Sequence, residues 1–210
     1  MIIHENQDVF RVGKPLLRAN SAMILVHGRG ASCQSIMTLA EQFPREDMAY
    51  LAPQAARNTW YPHSFLSPIE ANEPYLTSAL VVLSRLVQEI EDEGMIPAEK
   101  IIIGGFSQGA CLASEFIYRN PRRYGGLLVF SGGVIGPLDS PIPAQGDLSE
   151  TPVFLGCSDV DAHIPLVRVE ETAKVFEDMG AFVTKRIYPQ MGHTIIQDEI
   201  LIAQDIVNSL

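Results

Sequence analysis

The chain has 210 residues, of which 47% are hydrophobic and 19% are charged, a composition typical of one globular domain rather than a disordered segment. Its formal net charge of −10 argues against nucleic acid or an anionic membrane as the main partner. No apolar run approaches the roughly 18 residues that a membrane span needs, and the polar N-terminus lacks the pattern of a secretory leader. We therefore expect a single cytoplasmic domain over residues 1–210, with Cys33, Cys111 and Cys157 as reduced thiols.

Strand and helix patterns alternate along the first half of the chain. Short apolar runs predict strands at residues 9–12, 23–26 and 48–52. Helical spacing of apolar residues predicts one helix over 35–43 and a second that begins at 72–74, where a capping residue precedes a proline. Residues 54–73 show no regular pattern, and a loop of that length inside a compact domain is usually functional.

The same alternation continues through the second half. The predicted strands are again short and apolar, at residues 101–103, 127–130, 153–155 and 182–188. The predicted helices follow them, at residues 110–117, 166–179 and 195–210. This order predicts an α/β fold with a mainly parallel, doubly wound sheet and helices on both faces, in which ligands bind beyond the carboxyl ends of the strands.

The pattern Gly-x-Ser-x-Gly at residues 105–109 lies between a predicted strand and a predicted helix. A sharp turn there lifts the Ser107 hydroxyl out of the sheet, and side chains at Gly105 or Gly109 would collide with the neighbouring strand and helix. The turn also places the amide of Gln108 at a helix N-terminus, where it would stabilise an oxyanion. Ser107 is therefore the predicted nucleophile, and a capping serine at an ordinary turn is the structural alternative.

A serine nucleophile needs a base, normally a histidine held by a carboxylate. His193 follows the last predicted strand, where the base of an α/β hydrolase is expected. The loop after the preceding strand offers two candidate acids, Asp159 and Asp161. His163 is too close in sequence to either aspartate to be its base partner, so we expect it at the rim of the cleft or as an inert surface residue.

The second oxyanion donor is expected in the loop after the early strand. Residues 27–30, His-Gly-Arg-Gly, stand in that place, and the Arg29 amide is the predicted donor, while His27 is expected to be structural. The same glycines do not complete a dinucleotide fingerprint, because Cys33 stands where its third glycine would be. No metal-binding pattern is present, and we predict neither a metal nor another cofactor.

The long loop over residues 54–73 carries the only tryptophan of the chain. Trp60, Tyr61, His63 and Phe65 are predicted to form an apolar wall of the substrate site with one polar contact. The alternative for Trp60 is that it anchors the loop onto the core.

Four segments together resemble the carboxylesterase/phospholipase family, which includes the acyl-protein thioesterases: residues 25–30, 105–110, 161–165 and 191–193. The resemblance implies an α/β-hydrolase without a large cap, which acts on carboxylic or thio esters and needs no cofactor. In the family's Asp-x-x-Val-Pro pattern the acid stands four residues before the proline, which corresponds to Asp161.

Two departures from the family pattern affect the expected substrate. The family usually has His-Gly shortly before the acid, where this chain has Cys157-Ser158, and its long loop before Trp-Phe-Asp is shortened to residues 58–61. We therefore expect a serine esterase for small or short-to-medium acyl esters rather than for lipidated proteins. The alternatives are a hydrolase-fold binding protein without turnover and a dienelactone-hydrolase-like enzyme with serine in place of cysteine. Thioester preference and assembly as a homodimer stay open.

Overall fold

The computed structural model describes residues 3–210, which fold around a seven-stranded sheet. In chain order the strands are β1 Val9–Gly13, β2 Ser21–Val26, β3 Met48–Pro53, β4 Ile101–Phe106, β5 Gly126–Phe130, β6 Pro152–Ser158 and β7 Phe182–Tyr188. Each strand lies where the apolar runs predict one, although most extend one to three residues further. The added residues continue the main-chain pairing beyond the apolar stretch that marks the strand in the sequence.

The strand order across the sheet is β1-β3-β2-β4-β5-β6-β7. β1 runs antiparallel to β3 at one edge, and the remaining neighbours are parallel. The chain moves outward from β2 to β3 and then crosses back to β4 on the other side of β2. Such a reversal opens a crevice at the carboxyl ends of the strands beside it, which here are β2 and β4.

Helices cover both faces of the sheet. They are α1 Cys33–Met37, α2 Tyr75–Asp92, α3 Gln108–Arg119, α4 Leu166–Asp178 and α5 Gln197–Asn208. Successive residues of β2 point to opposite faces: Ile24 packs with the core that contains α2, α3 and α4, whereas Met23 and Leu25 pack with the core that contains α1 and α5. The predicted doubly wound α/β architecture is confirmed. Within residues 3–210, no helix is both long and apolar enough to cross a bilayer.

The start of α2 differs from the prediction. Asn72 does not cap the helix, because its side chain accepts a hydrogen bond from the amide of His63 at 2.9 Å and donates one to the carbonyl of Ser64 at 2.9 Å. The Glu73 carboxylate instead accepts the amide and the hydroxyl of Thr77 in the first turn. Asn72 is buried and holds the preceding loop in shape.

The helix predicted over residues 35–43 is also different. It starts earlier, at Cys33, because the Ser32 side chain accepts the amide of Ser35 and caps the first turn. It is α-helical only to Met37 and continues as a tighter 3₁₀ turn over Thr38–Gln42.

Candidate active site

The turn between β4 and α3 holds Ser107 in a strained conformation, with φ 57° and ψ −122°. Its amide donates to the carbonyl of Phe130 at 3.0 Å, which fixes the turn against β5. A Cβ atom added to Gly109 would lie 2.0 Å from the carbonyl oxygen of Val26, and one added to Gly105 would lie 2.6 Å from Gly109. The structure thus shows why both positions are glycine, as the sequence pattern indicates.

Ser107, His193 and Asp161 lie in one hydrogen-bonded row. The Ser107 Oγ is 2.8 Å from the His193 Nε2, and the His193 Nδ1 is 2.7 Å from the Asp161 Oδ2. The Asp161 side chain is fully buried, whereas the His193 side chain is 20% exposed. The imidazole is therefore partly exposed to solvent, whereas the carboxylate that it contacts is not.

The loop around Asp161 keeps its carboxylate ionised. The other carboxylate oxygen, Oδ1, accepts the amides of His163 at 2.8 Å and Ile164 at 3.1 Å. Burial raises the pKa of Asp161, but the hydrogen bonds from His193 and from the loop amides outweigh it and leave that pKa below its ordinary value. A charged Asp161 can orient the imidazole and balance a positive charge on it.

The second candidate acid has a different place. The Asp159 Oδ1 accepts the amide of Gln190 at 2.8 Å, which ties the loop after β6 to the loop that carries His193. The structure therefore brings Asp161, and not Asp159, to His193. The sequence alone does not show which aspartate contacts His193, because the two stand only two residues apart in the same loop.

The Cys157 thiol also contacts the Asp161 carboxylate. The buried sulfur lies 3.8 Å from the Asp161 Oδ2, the oxygen that also faces His193. Burial and the negative charge of Asp161 raise the pKa of Cys157 to about 12, so the sulfur stays protonated and its S–H donates a hydrogen bond to that oxygen.

Two main-chain amides beside Ser107 remain available. Arg29 and Gln108 line the same cleft as Ser107. The Gly30 amide donates to the Asn58 carbonyl at 2.7 Å, but neither the Arg29 nor the Gln108 amide donates to another group within residues 3–210. Gln108 is also the first residue of α3, where the helix dipole favours a negative charge.

The cleft has a volume of about 520 Å³. Three of the four residues expected at the substrate site line it, namely Tyr61, His63 and Phe65. His163 lines it as well and lies at its rim, with its ring 4.8 Å from that of His193.

Trp60 does not line the cleft, so the prediction of a substrate contact at this residue is wrong. The side chain is fully buried, and its indole Nε1–H donates to the carbonyl of His27 at 2.9 Å. An indole with an internal acceptor and no exposed surface anchors the loop onto the core. The sequence could not separate the two roles, because both require an aromatic residue in this loop.

Two buried histidines hold the same loop in place. The His27 Nε2 accepts the amide of Ala55 at 3.1 Å, and the His4 Nδ1 accepts the amide of Ala56 at 3.0 Å. Burial lowers the pKa of both imidazoles, so both stay neutral and can accept these bonds. The structural role expected for His27 agrees with these contacts, whereas His4 carries no signal in the sequence that would reveal it.

A second groove, also of about 520 Å³, lies on the other side of Phe106 and His193. Its apolar lining comes from both ends of the chain: Ile36, Leu39, Ile195, Ile196 and Ile200. The sequence gives no sign of this groove, because its two walls are more than 150 residues apart. Across residues 3–210, no cluster of His, Cys, Asp and Glu could hold a metal ion.

The chain is similar to known proteins in sequence and in fold. A family profile described as phospholipase/carboxylesterase matches residues 7–210. A solved phospholipase/carboxylesterase from Dyadobacter fermentans is 42% identical, covers 97% of each chain and superimposes with a TM-score of 0.92. The acyl-protein thioesterase 1 of Kluyveromyces lactis is 29% identical over 97% of this chain and 96% of its own length. The Eremothecium gossypii protein of the same name is 30% identical over 84% and 82%.

Proposed function

Because the chain belongs to the phospholipase/carboxylesterase family and is an esterase of the α/β-hydrolase fold, we propose that it hydrolyses small esters through an acyl-enzyme on Ser107. The observation that carries this proposal is the row from Ser107 through His193 to Asp161, with distances of 2.8 and 2.7 Å. Each distance is that of a hydrogen bond through which a proton can move or a ring can be oriented.

Acylation begins when the Ser107 Oγ attacks the carbonyl carbon of the ester. The His193 Nε2 takes the hydroxyl proton as the new C–O bond forms, since a serine hydroxyl is a weak nucleophile without a base. The same nitrogen then gives this proton to the leaving oxygen as the ester bond breaks. A water molecule then attacks the acyl-enzyme, and His193 takes and returns a proton in the same way. The acid is released and Ser107 is restored.

Asp161 acts through His193. It accepts a hydrogen bond from Nδ1–H, which leaves Nε2 as the acceptor that faces Ser107. Its negative charge also stabilises the imidazolium that forms in each half-reaction. The buried thiol of Cys157 and the two loop amides hold the carboxylate in this orientation.

The amides of Arg29 and Gln108 are the proposed donors to the oxyanion. Their N–H groups have no other acceptor within the described part of the chain, so they can bond to the developing charge without breaking existing bonds. The loss of one such donor in a hydrolase typically lowers kcat by roughly 10²–10³-fold.

The two pockets favour one orientation of the substrate. The carbonyl carbon must lie at Ser107 with its oxygen toward Arg29 and Gln108, which line the cleft. The leaving oxygen must face His193, which lines both the cleft and the second groove. We place the acyl half in the cleft and the alcohol half toward the second groove. The 520 Å³ cleft supports short-to-medium acyl groups, as esters or thioesters.

Labelling with a fluorophosphonate tests this function. The reagent reacts with an activated serine, so we expect one label per chain and loss of ester hydrolysis at the same rate, with Ser107→Ala unlabelled. A protein that kept the fold only for binding would remain unlabelled, and that result would contradict the proposal. The free, buried cysteines are consistent with a reducing, cytoplasmic location, which we also propose.

A further inference from the structure

The mouth of the cleft differs in charge from the rest of the molecule. The chain has a net charge of −10. Among the described residues that line the cleft, however, none is an aspartate or a glutamate, while Arg29, His63, His163 and His193 are basic. Of these, Arg29, His63 and His163 are exposed. A site that gathers basic side chains and excludes acidic ones favours a negatively charged ligand.

Arg29 is held in place but not neutralised. Its two terminal nitrogens donate to the carbonyls of Pro62 at 2.9 Å and His63 at 2.6 Å. Its guanidinium carbon lies 6.0 Å from the centre of the Tyr61 ring. Within residues 3–210 it forms no ion pair with a carboxylate, unlike Arg11 with Glu89. A guanidinium has five N–H donors, so those not used for the two carbonyls remain available.

The remaining basic groups of the rim are also free to bind. The imidazole rings of His63 and His163 form no hydrogen bond with the described residues, and the hydrogen bonds of both residues involve main-chain atoms. The Asp161 carboxylate, which contacts His193, is fully buried, and both its oxygens already accept hydrogen bonds. Asp161 therefore does not form an ion pair with Arg29.

We propose that the cleft selects esters whose acyl half carries a carboxylate, that is, half-esters of dicarboxylic acids. This inference rests on the proposed function, because the acyl half is placed in the cleft by Ser107 and by the amides of Arg29 and Gln108. A fixed guanidinium matches the planar geometry of a carboxylate and loses little side-chain freedom on binding it.

Two substrates of the same size test the preference. One is the p-nitrophenyl half-ester of adipic acid, and the other has a carboxamide in place of the free carboxylate. Both release the same leaving group, so their kcat/KM ratio reports the charge alone. We expect the carboxylate ester to be favoured roughly two- to fivefold at low salt, as for one partly exposed ion pair, with the ratio falling as salt screens it.

Replacement of Arg29 tests whether its side chain causes the preference for the carboxylate ester. Arg29→Gln keeps the main-chain amide and removes the charge, so the ratio should fall to about one. Arg18→Gln, a change of the same charge at an exposed arginine of the turn Leu16–Arg18, should leave the ratio unchanged. Because the Arg29 side chain also binds the loop, circular dichroism must show that the variant is folded; Arg29→Lys, which keeps the charge, should retain most of the preference.

Three results would overturn the inference. They are a ratio near one in the wild-type enzyme, a ratio that does not change with salt, and a ratio that survives Arg29→Gln in a folded protein. The wild-type ratio and its salt dependence need no variant, so a misfolded variant does not leave the inference untested. Failure of the proposed function would differ from these, because neither ester would be cleaved and Ser107 would not react with a fluorophosphonate.

Discussion

The side chain of Gln108 binds the main chain of Trp60: its Oε1 accepts the Trp60 amide at 3.0 Å. Its Nε2 also donates to the carbonyl of Tyr61 at 2.8 Å. Gln108 therefore has two separate roles in this account. Its main-chain amide is a proposed oxyanion donor, and its side chain binds the loop that forms the cleft wall.

Replacement of Gln108 by alanine should weaken both the fold and the site. The change leaves the buried amide of Trp60 without an acceptor, which costs about 1–3 kcal/mol of unfolding free energy. It also frees the wall residue Tyr61, so KM should rise. Urea unfolding and steady-state kinetics check this, and wild-type values in both would show that the loop does not depend on Gln108.

Replacement of Trp60 by alanine should act on stability and not on substrate choice. The side chain is fully buried, so its loss should lower the free energy of unfolding by roughly 3–5 kcal/mol. The values of kcat/KM for p-nitrophenyl esters from acetate to palmitate should then fall by similar factors. An uneven change along the series with an unchanged Tm would instead place Trp60 in the substrate site.

The sequence predicts the turn at Ser107 well, because the pattern Gly-x-Ser-x-Gly is local and the structure shows why Gly105 and Gly109 cannot carry side chains. The order of the strands places the loops of Asp161 and His193 at one edge of the sheet, since the loops after parallel strands meet there. It does not separate Asp161 from Asp159, and the family resemblance is what favours Asp161.

Other features depend on contacts between distant segments and leave no local pattern. The bond between Gln108 and Trp60 joins residues 48 positions apart, and the second groove joins Ile36 with Ile200. A loop tryptophan is equally compatible with a pocket wall and with an anchor until the position of its N–H acceptor is known. The capping role expected for Asn72 fails for a similar reason, because the amide of His63 and the carbonyl of Ser64 bind the same side chain.

Glu199 should make the protein less stable at alkaline pH. Its side chain is fully buried in the first turn of α5, where Oε2 accepts the Ile196 amide and Oε1 has no partner within the described residues. Burial raises its pKa to about 7 from an ordinary value of 4.5. The folded state therefore keeps the Glu199 proton to a higher pH than the unfolded state does. The free energy of unfolding falls as the pH rises from 4.5 through 7.

Replacement of Glu199 by glutamine tests this sign. Glutamine keeps an acceptor for the Ile196 amide but cannot ionise. It should stabilise the protein at pH 8 by an amount on the order of 1–3 kcal/mol and change it much less at pH 4.5. Urea unfolding at the two pH values measures the difference, and an equal effect at both would exclude ionisation as its cause.

The two aspartates of the loop after β6 form a matched pair for mutation. Asp161→Asn removes the charge that orients His193, so kcat should fall by about 10⁴-fold. Asp159→Asn removes the same charge two residues away, where the carboxylate binds the Gln190 amide, and should lower kcat much less. The reverse order of these losses would show that the acid is Asp159.

The most direct test of the mechanism compares Ser107→Ala, His193→Ala and the double variant by their kcat for one p-nitrophenyl ester. Because the two groups act in the same proton transfer, each single change should lower kcat by on the order of 10⁴-fold or more, and the double change should lower it little further. Losses that multiply in the double variant, or activity that survives Ser107→Ala, would contradict an acyl-enzyme formed on Ser107 with His193 as its base.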